Sequence, residues 1–126
     1  MPVRGIRGAI TIEEDKPEEI KEATQYLLSR ILAVNPELAP EDIASVLFTV
    51  TPDIRSDYPA RSARELGWTQ VPLLCTQEIP VPNGLPKCIR LLIHWNTEIG
   101  PSCITHMYLR GAEVLRPDLK NKAHSQ

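Results

Sequence analysis

The chain has 126 residues, enough for one domain around a single core. Fourteen lysines and arginines against sixteen aspartates and glutamates give a net charge of −2, which argues against a general nucleic-acid or membrane-surface binder but leaves room for a local basic pocket. No apolar run approaches the roughly 20 residues that span a bilayer, and Met1-Pro2-Val3-Arg4-Gly5 has no apolar stretch of the kind a secretory leader needs, so neither a span nor a leader is expected.

Val3 to Thr11 reads as a first strand. Alternation puts Val3, Gly5, Arg7 and Ala9 on one face and Arg4, Ile6, Gly8 and Ile10 on the other; glycine within a strand marks close approach of another group. Residues 17 to 34 read as a helix, with Asp15 as the expected N-cap, Pro17 in the first turn, Glu18 and Glu19 at the positive end of the dipole, and Asn35-Pro36 as the stop. Ile20, Ala23, Leu27, Leu28, Ile31 and Leu32 repeat at helical spacing. A turn at Pro40-Glu41-Asp42 leads to a buried strand over Ser45–Thr51, marked by its β-branched and aromatic content. A short helix is expected from Pro59 to Leu66, ending at Gly67, then a strand over Val71–Cys75 and a loop around Asn83-Gly84. Cys88 to Asn96 alternates clearly, with Ile89, Leu91, Ile93 and Trp95 on one face and Arg90 on the other. A last strand is expected over His106–Leu109, a turn through Gly111 and Arg116-Pro117-Asp118, and a mobile polar tail over 120–126. The twelve prolines fall mostly between these elements and punctuate an ordered fold. This order describes an α/β (α+β) sandwich, one long and one or more short helices on a mixed sheet, in a single domain over 1–119.

Familiar catalytic signatures are absent: there is no G-x-S-x-G, Walker A, H-E-x-x-H or Cys/His cluster at ligand spacing, so no metal site is expected. His94, His106 and His124 are scattered and read as surface or edge-strand side chains. Cys75, Cys88 and Cys103 cannot all pair within one chain and form no C-x-x-C, which points to free thiols in a reducing, cytoplasmic setting. A nucleophilic role for Cys75 lacks a histidine tied to it. What stands out is arginine in unusual places. Arg90 sits mid-strand opposite an apolar face, and Arg7 sits mid-strand beside glycines. A half-buried guanidinium is costly without an anion, and Glu78, just past a strand, is a candidate partner. Two readings remain open: an Arg–Glu pair that braces the sheet, or a pocket for a small dianion, since the guanidinium fork matches carboxylates.

Arg4-Gly5-Ile6-Arg7-Gly8-Ala9, Thr51-Pro52-Asp53, Val71-Pro72, Cys75-x-Gln77-Glu78, Cys88-Ile89-Arg90, His106-x-Tyr108-Leu109 and Val114-Leu115-Arg116-Pro117-Asp118-Leu119 follow in order over nearly the whole chain. Together they resemble the monofunctional, trimeric pseudo-α/β-barrel (AroH) class of chorismate mutases. The resemblance implies a homotrimer with sites between subunits, and conversion of chorismate to prephenate with no cofactor. It implies that Arg90 meets the ether oxygen of the breaking bond and a substrate carboxylate, that Glu78 binds the ring hydroxyl with Cys75 nearby, and that Arg7 and Tyr108 hold a carboxylate. It further implies that a neighbouring chain lends the segment with Tyr58, Ala60, Arg61 and Arg64, that Leu115 lies against the ligand, and that Arg116 stands near the entrance. Leu73-Leu74 replaces a smaller, partly polar pair of that class, so contact there is expected through backbone or apolar packing. The main rival is a non-catalytic trimeric sensor of an anionic metabolite, which would keep the arginines but has no need of Glu78 facing Arg90. A small trimeric hydrolase is a further rival, but no group stands out to activate water.

Overall fold

The computed structural model describes residues 1–116, so the expected tail, His124 and the Pro117-Asp118-Leu119 end of the last motif lie outside the described residues. Five strands form one sheet: β1 (Val3–Thr11), β2 (Ile43–Val50), β3 (Leu73–Gln77), β4 (Cys88–Asn96) and β5 (Met107–Leu109), in the order β3-β2-β4-β1-β5. The central strand β4 runs antiparallel to both β1 and β2, while the edge strands β5 and β3 run parallel to β1 and β2. Two helices, α1 (Pro17–Val34) and α2 (Pro59–Glu65), provide the crossovers from β1 to β2, which run in the same direction on either side of β4, and from β2 to its parallel partner β3. Among the described residues no helix is long and apolar enough to cross a membrane.

Alternation within the strands separates two faces. Ile6, Ile10, Phe48, Ile89 and Ile93 point to the helix side and are fully buried with Ile20, Leu27, Leu28 and Ile31 of α1. Gly8 belongs to this face: a Cβ there would stand 3.0 Å from Ile31 Cδ1 and 3.3 Å from Leu91 Cδ1, so its absence lets α1 lie close on the sheet. The amide of Asn35 bonds the carbonyls of Ile31 and Thr105, and its oxygen accepts from the Thr105 N–H, fixing the end of α1 to the approach to β5.

Several expected boundaries shift. α1 has the expected span, but Lys16 is its N-cap and no side chain caps it. Asp15 instead accepts hydrogen bonds from the N–H groups of Arg55 and Ser56 and from the Ser56 hydroxyl, while Glu19 reaches back to the N–H groups of Glu13 and Glu14. A competing set of donors on the 55–56 loop has drawn Asp15 away from the helix. β3 lies two residues later than the apolar run suggests, at Leu73–Gln77, because pairing with β2 continues through Thr76 and Gln77; Glu78 then donates its N–H to the Val50 carbonyl at 2.8 Å. α2 closes one residue before Leu66, with Gly67 at φ 108°, the left-handed conformation that ends a helix. Residues 110–115, read as a turn, form a 3₁₀ helix.

Candidate active site

The face of the sheet turned away from the helices carries the mid-strand arginines. Register places Arg7, Leu92, Leu47 and Leu74 in one row across the strands, and Tyr108, Ala9, Arg90, Thr49 and Thr76 in the next. Glu78, two residues past Thr76, joins the same face. Arg90 Nη1 stands 3.6 Å from Glu78 Oε1, and the other Glu78 oxygen accepts a 2.7 Å hydrogen bond from the Thr49 hydroxyl. The ion pair is therefore held from the carboxylate side. At 3.6 Å it is a charge contact outside hydrogen-bond distance, with the arginine side chain 43% exposed, and such pairs add little to stability. That weighs against a purely bracing role and leaves guanidinium donors directed into the adjoining space.

Two depressions meet at this pair. One is bounded by Arg7, Leu47, Thr49, Glu78, Arg90 and Leu92. The other, a cleft of about 460 Å³, runs from Glu78 and Arg90 past Thr51, Asp53, Cys88 and the 79–86 loop to Leu115. Tyr108, buried, packs with Ala9, Cys88, Ala112, Leu85 and Leu115 beside it. Arg7 has its backbone N–H fixed on His106 Nδ1 at 3.0 Å, and no carboxylate among the described residues lies within ion-pair distance of its guanidinium.

The remaining expected residues gather elsewhere. Cys75 pairs in register with the fully buried Phe48, so its side chain faces the helix side, opposite Glu78. Within one chain, Cys75 and Glu78 therefore do not meet, because three residues along a strand reverse the face. Cys75 lies instead in a second cleft, about 410 Å³, with Arg55, Asp57, Tyr58, Pro59 and Arg61. Burial pushes its thiol up, against the backbone N–H of Ala60 and the charge of Arg64, both close by. Tyr58 is 60% exposed at the start of α2, and Arg61 pairs with Asp57 at 3.1 Å. Leu73 packs against the helix-side core, while Leu74 is exposed on the open face in a groove with Leu47 and His94; neither reaches either cleft. The backbone N–H of Arg116, at the end of the described chain, bonds the Glu113 carbonyl at 3.4 Å.

The type I chorismate mutase family model matches residues 3–119. The chain belongs to the type I chorismate mutase family. Chorismate mutase AroH of Thermus thermophilus is 51% identical over 119 residues, covering 94% of this chain and 98% of the relative. The Bacillus subtilis AroH chorismate mutase is 46% identical over 120 residues, 94% of each. In three dimensions, a chorismate mutase from Clostridium thermocellum superposes with a TM-score of 0.85 at 44% identity, over 88% of this chain and 98% of that one.

Four residues of this chorismate mutase fold have roles that the sequence did not suggest. Thr49 holds Glu78, His106 holds the Arg7 backbone, Asp15 holds the 55–56 loop, and Arg55 lines the second cleft. Thr49 was legible in principle, since pairing β2 against β4 in register puts it beside Arg90. His106 and Asp15 act across 40 or more residues of chain, and Arg55 lines a cleft shared with residues about 20 positions away, so none leaves a local pattern. His94 likewise serves a hydrogen bond, 2.9 Å between Nδ1 and the Ser45 hydroxyl.

Proposed function

We propose that the chain converts chorismate to prephenate at a site whose working groups are Arg90, Glu78 and Arg7, completed by the Tyr58 cleft of a neighbouring subunit in a homotrimer. The observation that carries this is the Arg90–Glu78 pair at 3.6 Å on a sheet face that also presents Arg7. Chorismate bears two carboxylates, and its rearrangement is unimolecular: the carbon–oxygen bond breaks ahead of carbon–carbon bond making, and negative charge grows on the ether oxygen. No proton moves, so the protein has only to select the folded conformer and meet that charge. Arg7 and Tyr108 grip a carboxylate, Glu78 takes the ring hydroxyl, and Arg90 points its guanidinium at the ether oxygen. A fixed cation there binds the transition state more tightly than the substrate. A million-fold acceleration needs about 8 kcal/mol, which preorganised charge and conformer selection together supply.

The composite site is supported by the placement of the two groups. Arg7, Glu78 and Arg90 share the open face, whereas Cys75 faces the helix side beside Tyr58, Arg61 and Arg64, an arrangement that suits two sets closing around one ligand from different chains. Val3 and Leu74 on the open face are exposed, as an interface within a trimeric pseudo-barrel would require. Three free cysteines suit a cytoplasmic enzyme. The test is direct: chorismate is added, its absorbance followed, and prephenate identified by acid conversion to phenylpyruvate. Binding of chorismate without turnover would favour the sensor reading.

A further inference from the structure

β5 ends at Leu109, and the chain must then turn sharply so that Leu115 packs back against the Tyr108 cluster and borders the Arg90 cleft. Arg110 makes that turn at φ 56°, a left-handed conformation that a side chain with a Cβ rarely adopts. A glycine follows at 111, so the unfavoured residue stands beside one that would take the conformation freely. Something must hold Arg110 there. Its Nη2 lies 2.9 Å from both carboxylate oxygens of Glu22, and its guanidinium sits 5.6 Å from the ring centroid of Tyr26. Glu22 and Tyr26 are one turn apart on the same face of α1. The next residue adds a second tie: the Gly111 N–H donates to Thr11 Oγ1 at 3.0 Å, and a Cβ on Gly111 would itself stand 3.0 Å from that oxygen.

An exposed ion pair of this kind adds little to stability. Its effect here is geometric, because it anchors the start of the 110–115 helix, whose far end places Leu115 on the cleft. We propose that Arg110 is a positioning residue for the reaction: clamped on Glu22 and Tyr26 of α1, it sets the 110–115 segment so that Leu115 forms the wall opposite Glu78 and Arg90. Arg110 touches no reacting atom. The proposal rests on the chorismate mutase reading of the cleft.

Arg110→Gly separates the clamp from the backbone, since glycine accepts φ 56° without strain while losing both contacts to α1. Glu22→Ala removes the pair from the other side at an exposed helical position that favours alanine. A wall that contacts substrate and transition state alike contributes uniform binding, so both variants should raise KM about five- to tenfold, as for partial loss of one leucine contact, with kcat held within about twofold. Arg110→Lys, which keeps a charged donor for Glu22 but loses the planar guanidinium over Tyr26, should recover part of the loss. The double variant should be no worse than either single one. Amide hydrogen exchange over 111–116 in the free protein should quicken in both single variants while the unfolding temperature of Arg110→Gly does not fall. Unchanged KM, or unchanged exchange in this segment, overturns the clamp. A wild-type protein that turns over no chorismate defeats the underlying reading instead, and is recognised because failure then precedes any substitution.

Discussion

The Arg90 cleft and the Tyr58 cleft are built from different materials. Arg7, Thr49 and Arg90 stand on β1, β2 and β4, and Glu78 directly follows β3, so ladder hydrogen bonds on several sides fix where each side chain leaves the backbone. Tyr58, Arg61 and Arg64 stand on a loop and a seven-residue helix, beside Val50, Cys75, Thr76 and Gln77 of β2 and β3. The loop is held by side chains: Asp15 takes the N–H groups of Arg55 and Ser56, Asp57 takes that of Tyr58 at 2.7 Å, and Arg55 Nε donates to the Pro52 carbonyl. A group that must aim at charge growing in a transition state gains most from a rigid mount, because misplacement costs it directly. A wall that gathers and encloses substrate tolerates movement and has to admit and release the ligand.

If that division is right, the strand-borne cation should dominate. Arg90→Ala should fold, since the side chain is 43% exposed and its pair with Glu78 is loose, yet kcat should fall at least about 100-fold. A kcat within a few-fold of wild type would show that the charge on the sheet is not the working one. The division across chains is tested next. Arg90→Ala and Arg64→Ala, each inactive alone, are refolded together in equal amounts. Roughly a quarter of sites should then combine an intact Arg90 with an intact Arg64 from the adjacent chain, and activity should return to about that fraction. Mixed trimers confirmed by mass but without activity would place the two arginines in separate sites.

The strand-borne half was also the more legible in the sequence. A charged residue at the centre of an alternating strand, as at Arg90, is visible without a fold, and register does the rest once β4 is placed between β1 and β2. The family motifs also run through those strands. The other half was harder to read. The resemblance sets Cys75 near Glu78, but β3 extends to Gln77 and its alternation puts their side chains on opposite faces of the sheet. The apolar signal of β3 ends at Cys75 because Thr76 and Gln77 are polar, so the strand reads two residues early. Asp15 has the side chain of a helix cap but stands one residue before the N-cap position that Pro17 sets, and the 55–56 loop engages it instead.

Smaller effects sharpen the comparison. Thr49→Val keeps the shape of β2 but removes the 2.7 Å bond that holds Glu78, and should lower kcat/KM about tenfold, the lower end for loss of one hydrogen bond to a charged group. An unchanged value would mean that Glu78 needs no such brace. Cys75→Ser should stay within about fivefold of wild type, the worth of one neutral hydrogen bond. Burial raises the Cys75 thiol above its usual range, so it is protonated at neutral pH and poorly suited to attack. Since no proton moves in the reaction and guanidinium groups stay charged, kcat should be nearly flat between about pH 6 and 9. A bell-shaped profile, or a covalent adduct trapped on Cys75, would return the question to acid–base or nucleophilic chemistry.

The smallest effect belongs to the loop-borne half and concerns Asp15. Burial pushes its carboxyl up, but the Ser56 hydroxyl, the N–H groups of Arg55 and Ser56 and the Arg55 charge outweigh that and hold it below its usual value. A carboxyl lowered in the folded state binds its proton less readily there than in the unfolded chain, so folding is favoured while it is ionised. That stability is fully present above the ordinary carboxylate range, around pH 4, and is lost as the pH falls through the lower folded value. Because the group is solvent-facing, the contribution is about 1 kcal/mol or less. Asp15→Ala should therefore lower the unfolding temperature slightly at pH 7, and the gap to wild type should close as both are acidified below about pH 4. Its effect on catalysis follows from the mount it supports. With the 55–56 loop loosened, KM should rise modestly while kcat holds, because Arg90 and Glu78 are fixed independently on the sheet. A fall in kcat as large as that of Arg90→Ala would mean that the loop aims the catalytic charge after all, and the contrast between a rigid strand-borne half and a yielding loop-borne half would not stand.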